Sequence, residues 1–109
     1  MSPPPNPTLA HLASALSEED ARELVRIFLS EFPALRDTMS RGNQRECYMA
    51  AHSLKSSAQH MGLEALAERA ADLETRLAEP GATLAAADLE GITRDFELQA
   101  DGLRVFAGE

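Results

Sequence analysis

Between residues 24 and 39 the apolar side chains stand at Leu24, Phe28, Phe32, Leu35 and Met39, in steps of three and four. That spacing puts them on one face of an α-helix, whereas on a strand it would scatter them over both faces. A helix with one such stripe has to bury it against other helices or a sheet. A sheet is not on offer. Valine, isoleucine and threonine are scarce, alanine, leucine, glutamate and arginine dominate, and no Asn-Gly turn separates alternating runs. The chain is therefore expected to be all-α.

The remaining helices follow the same period. Leu9, Leu12, Ala13 and Leu16 predict a short first helix, and Ser17 offers an N-cap to the next, with Glu18, Glu19 and Asp20 well placed in its first turn. Pro33 interrupts the second helix and should kink or split it. Gly42 and Asn43 supply a stop and a new cap. A third helix is expected from about Gln44 to Met61, with Cys47, Ala50, Ala51, Leu54, Ala58 and Met61 inward and Gly62 at its end. Leu63, Leu66, Ala70, Leu73 and Leu77 predict a fourth, closed by Glu79-Pro80-Gly81. Leu89, Ile92, Phe96, Leu103 and Phe106 predict a last, weakened by Gly91 and Gly102. Four such helices joined by short loops favour an antiparallel up-down four-helix bundle, with the short N-terminal helix as a lid. The expected division is a flexible proline-rich lead over residues 1–7 and one helical domain over 8–109.

The 109 residues suffice for one domain with a real core. No apolar run approaches the roughly 20 residues of a membrane span, and the start does not resemble a secretory signal, so a cytoplasmic location and no membrane partner are expected. A formal charge of −8 opposes nucleic acid and anionic membranes as partners and favours a protein. The single Cys47 excludes an internal disulfide and a cysteine-based zinc site, and reads as a small core residue.

Chemistry concentrates in the stretch "AAHSLKSSAQHMG", residues 50–62. On a helix His52, Lys55, Ser56 and Gln59 share a polar face, while Leu54 lies on the opposite, apolar side. His52 thus points away from the core, with a cation one turn along and small side chains beside it. By position alone such a histidine reads as a solvated surface residue. The combination Ala51, His52, Leu54, Lys55 and Gly62, however, closely resembles the phosphoacceptor motif of histidine-containing phosphotransfer (HPt) domains, Ala-His-x-Leu-Lys-Gly closing on a glycine. The resemblance covers nearly the whole chain, since that family also has a short capping helix and an antiparallel four-helix core. Ser56 departs from the family's usual glycine but is still small.

The resemblance implies reversible phosphoryl transfer in a two-component phosphorelay. His52 would take a phosphoryl group from a receiver-domain aspartate and pass it to another receiver, as a carrier rather than an enzyme. The family's Mg²⁺ sits on the partner receiver, so no cofactor and no metal are expected on this chain. Lys55 would give electrostatic support to the phosphoryl group. In chemotaxis-kinase members a glutamate 22 residues after the histidine accepts from its Nδ1, and the matching position is Glu74. Counting about ten residues from His52 to the turn and about twelve from the turn to Glu74, at 1.5 Å per residue, brings both to a similar height. The expected partners are receiver domains of response regulators or of a hybrid histidine kinase. They would dock on Tyr48, Lys55, Ser56 and Gln59 together with lid residues Leu9, Leu12 and Leu16. A monomer is expected, and the start at Met1 and the closing helix favour a separate protein.

Competing patterns are poorer. His60, eight residues after His52 and about 80° round the helix, is badly set to share a metal with it, and His11 belongs to the lid. There is no Ser-His-Asp order, glycine-rich phosphate loop or nucleotide-binding motif, and a metal-dependent four-helix enzyme would need Glu-x-x-His pairs that are missing. A non-catalytic helical adaptor, with His52 only touching a protein partner, stays open as the alternative.

Overall fold

A computed structural model describes residues 2–109, so the first residue of the expected lead, Met1, lies outside the described residues. Five helices and no strand are present among them: α1 (Pro7–Ala15), α2 (Glu18–Arg41), α3 (Gln44–His60), α4 (Glu64–Leu77) and α5 (Ala86–Ala107). Helices α2 to α5 form the bundle. Each packs on the next and α5 returns to α2, while α1 lies mainly on α2. The result is a rod of 47 × 22 × 18 Å.

The helix boundaries follow local chemistry. Ser17 accepts from the Asp20 N–H at the start of α2, and Asn43 with Glu46 makes a reciprocal capping box at the start of α3. The last residue of the expected lead, Pro7, is the first of α1. Pro7 occupies the first turn of α1, where a missing N–H costs nothing, and Asn6 caps it by accepting from the Leu9 N–H at 2.9 Å. Pro33 does not split α2, which runs unbroken for 24 residues. It sits on the exposed side, where water can serve the carbonyl its ring leaves unpaired.

The interior joins all five helices. Phe32 stacks on Phe96 with ring centroids 3.8 Å apart, and Cys47 is buried, its thiol donating to the Met39 and Gly42 carbonyls at 3.4 Å. Burial pushes the Cys47 thiol pKa up. Every residue expected inward on α3 and α4 is buried. The α2 stripe needs one correction. Its buried residues are Ala21, Val25, Phe28, Phe32 and Met39, with Leu35 packed against them, and Leu24 is 37% exposed. Leu24 lies at the edge of that stripe rather than within it, and α1 covers it only in part.

The turn between α3 and α4 seats the lid. Gly62 has φ of +75°, which closes α3 in the left-handed conformation that favours glycine. A Cβ there would also collide with the Asn6 carboxamide and with the Thr8 Cβ at 2.8 Å. Asn6 uses its other end to donate to the Met61 carbonyl at 2.8 Å, so a single side chain caps α1 and ties it to the end of α3.

Candidate functional site

Antiparallel packing of α3 on α4 brings residues far apart in sequence to one level. His52, with 54% of its side chain exposed, projects from α3 beside Glu74 of α4, whose side chain is only 14% exposed. The Nδ1 of His52 meets Glu74 Oε2, and Lys55 Nζ donates to Glu74 Oε1 at 2.6 Å. One carboxylate thus serves two partners, one per oxygen.

The electrostatics fix the proton. Lys55, and after it His52, hold the Glu74 carboxyl below its ordinary pKa. An ionised carboxylate only accepts, so the hydrogen between Glu74 and the imidazole belongs to Nδ1. In the neutral ring that leaves a lone pair on Nε2, which has no hydrogen-bond partner among the described residues. The nitrogen free to react is the one turned away from α4.

The surroundings explain how this face stays reachable. Ala51 and Leu54 are fully buried and carry α3 into the core, whereas Ser53 and Gln59 are exposed and Tyr48, Lys55, Ser56 and Ser57 are half-buried. Ser56 is therefore less open than its place on the polar face implies. Tyr48 leans towards the end of α4, where it lines a shallow groove with Arg45, Leu77 and Ala78.

The lid residues divide. Leu9 has no exposed surface at all, because it plugs the core between α1 and the bundle, and it cannot contact a partner. Leu16 is 53% exposed and Leu12 is half-buried. Between α1, α2 and the end of α3 lies an open groove of about 540 Å³, lined by Leu12, Leu24, Ile27 and Phe28 with Gln59 and His60 at one end. Leu24 and Ile27 were not among the expected docking residues. The available signal was Ile27 itself, an apolar side chain three residues after Leu24 but off the stripe that continues through Phe28, Phe32 and Met39. His11 and His60 reach this groove and not the His52 site, and no group of three metal-ligating side chains exists among the described residues.

No helix is long and apolar enough to cross a membrane among the described residues. Comparison with protein families gives a match to the model described as Hpt domain, over residues 23–104. That span runs from within α2 to within α5, includes His52, Lys55 and Glu74, and leaves the lid helix outside. Searches of curated proteins and of solved structures gave no significant match.

Proposed function

The chain belongs to the Hpt domain family, and from that premise we propose that His52 is the phosphoryl acceptor of a phosphorelay, taking the group from the aspartyl phosphate of one receiver domain and delivering it to the aspartate of another. The general role of the family, histidine phosphotransfer in a phosphorelay, comes with membership. The observation that carries the assignment to His52 is an exposed imidazole with Nδ1 held by Glu74 and Nε2 open to solvent.

In this reading Nε2 attacks the phosphorus in line as the bond to the aspartyl oxygen breaks, and positioning does most of the work. Glu74 fixes the tautomer and the ring orientation. Lys55 has three ammonium hydrogens and gives one to Glu74, which leaves two for phosphoryl oxygens arriving one helical turn away. The receiver covers the His52 face, meeting Tyr48, Lys55, Ser56 and Gln59, and reaches exposed Leu16 and the apolar groove at Leu12, Leu24 and Ile27. Mg²⁺ resides on the receiver, the carrier works as a monomer, and the site of action is the cytoplasm.

The test is incubation with a receiver domain phosphorylated by acetyl phosphate. Label should appear on the wild-type chain, acid-labile and comparatively base-stable as a phosphoramidate is. Label that survives acid, or that persists after His52→Gln, overturns the assignment. Ser56→Phe should block transfer while thermal unfolding changes little, because the added ring stands where the partner approaches.

A further inference from the structure

The hydroxyls of α2 and α3 are employed differently. On α2, Ser30, Thr38 and Ser40 each donate back to a carbonyl of the preceding turn, as hydroxyls inside helices commonly do. On α3, the hydroxyls of Ser53, Ser56 and Ser57 make no hydrogen bond among the described residues. Ser56 is half-buried, yet no buried side-chain oxygen lacks a partner among those residues, so its Oγ opens to solvent.

The helical period places that free donor beside the reacting nitrogen. Ser56 stands four residues after His52 and about 40° round the helix from it, while Lys55 lies about 60° round the other way. Lys55 reaches Glu74, so its flank faces α4 and the flank of Ser56 faces away from α4. Nε2 points away from α4 too, because Nδ1 is spent on Glu74. Ser53 and Ser57 sit about 100° and 140° round, and Ser57 lines the groove beside α1 instead.

We propose that the Ser56 hydroxyl donates a hydrogen bond to a phosphoryl oxygen carried on Nε2 of His52, so that the group is held by Lys55 on one flank and by Ser56 on the other. The inference rests on His52 being the acceptor. It adds a contact that a glycine at this position would be unable to make.

The reach is sufficient. Cβ atoms four apart on a helix are about 5–6 Å from one another, and a phosphoryl group on Nε2 spreads its oxygens across that gap. In the transfer itself the Nε2 lone pair forms the P–N bond and the aspartyl oxygen leaves with the P–O pair. Ser56 keeps its hydrogen throughout. Before transfer the hydroxyl is served by water, and afterwards by an anionic oxygen, so its contribution falls on the phosphorylated state. A donor also favours the more negative form of its acceptor, so the same contact should lower the pKa of the bound phosphoryl group. The charged groups around it are Lys55 of α3 and Glu74 of α4, with His11, His60 and Glu31 in the groove beyond Ser57.

Phosphoramidate phosphorylates imidazoles with release of ammonia and needs no receiver. The phosphorus NMR resonance that His52→Gln removes belongs to His52, and its movement with pH gives the phosphoryl pKa. Ser56→Ala keeps the room and removes the donor. It should raise that pKa by roughly half a unit and lower by roughly threefold the ratio of phosphorylated to free carrier at equilibrium with a receiver. Its thermal unfolding should not fall, since alanine is the better helix former. Ser56→Gly should match Ser56→Ala, and Lys55→Met should raise the pKa in the wild-type and Ser56→Ala backgrounds alike. An unshifted titration in Ser56→Ala overturns the proposal, and a shift confined to Ser56→Gly does so as well, since it would make Ser56 a matter of space. A receiver that leaves His52 unlabelled while the Ser56→Ala shift persists would instead overturn the relay reading and leave the hydrogen bond standing.

Discussion

Helix α4 meets α3 on one flank and α5 on the other, and the two seams use ion pairs to different ends. On the α5 side each charge has its own partner. Arg69 Nε donates to Asp95 at 2.6 Å, and Arg76 grips both oxygens of Asp88 at 2.8 and 3.1 Å. Asp88 is further occupied by the Ala85 N–H at the start of α5. On the α3 side a single carboxylate is divided between an ammonium and an imidazole, and the imidazole keeps one nitrogen free. A saturated pair can only hold helices together. An ion pair that ends in an unused nucleophile on an exposed ring can do chemistry.

The largest expected effect comes from removing that nucleophile. His52→Gln should lose all labelling by a phosphorylated receiver. Its thermal unfolding should stay close to wild type, because the ring is half in solvent and its loss opens no cavity. The converse substitution, Arg69→Ala on the α5 seam, should lower stability by about 1 kcal/mol or less and leave the transfer rate alone. Transfer lost in Arg69→Ala with the fold intact would show that the seams are not separable. Next in size is Lys55→Ala, expected to slow transfer by several-fold to about tenfold without abolishing it, as befits a partly exposed charge.

How much of this was legible beforehand depends on what enforces each feature. Burial enforces periodicity, so the stripes of α3 and α4 were readable residue by residue. Register enforces the meeting of His52 with Glu74, since a short turn between two antiparallel helices leaves little choice of height. Leu9 and Leu24 exchanged roles for want of such a rule: both are apolar and at helical spacing, and only the angle at which α1 crosses α2 decides which is covered. The tie between Lys55 and Glu74 is not legible because the two residues stand 19 positions apart on different helices, where side-chain direction and not spacing decides which groups meet. Asn6 looked like part of a loose lead, and its bond to the Met61 carbonyl spans 55 positions, beyond any local pattern.

Acid should weaken both seams together. Arg76 lowers the Asp88 pKa, and Lys55 followed by His52 lowers that of Glu74. A carboxyl depressed in the folded state contributes stability that is present above its unfolded pKa and lost as pH falls through the folded one. Chemical denaturation at stepped pH should therefore show stability falling below the ordinary carboxyl range. Asp88→Asn should flatten that dependence without touching transfer, whereas Glu74→Gln should flatten it and slow transfer. Equal pH dependence in wild type and Asp88→Asn would remove the α5 seam from the account.

The smallest effect is expected at Gly91, which is buried on α5 beneath the Arg69 side chain. A Cβ there would collide with the guanidinium, whose Cζ would stand at 2.7 Å, so Gly91→Ala has to push Arg69 off its line to Asp95. The obstacle is the far end of a flexible side chain that is 37% exposed, and an ion pair of that exposure is worth no more than about 1 kcal/mol. Against it stands the gain of alanine over glycine inside a helix, also about 1 kcal/mol. The two nearly cancel, so Gly91→Ala should unfold within about 1 kcal/mol of wild type and transfer phosphate at the same rate. A larger loss of stability would mean that Arg69 cannot find another resting place and that the α5 seam is held more tightly than its exposure indicates. An unchanged stability with slowed transfer would mean that a shift of α4 by its α5 flank reaches Glu74, and the division of labour between the two seams would fail.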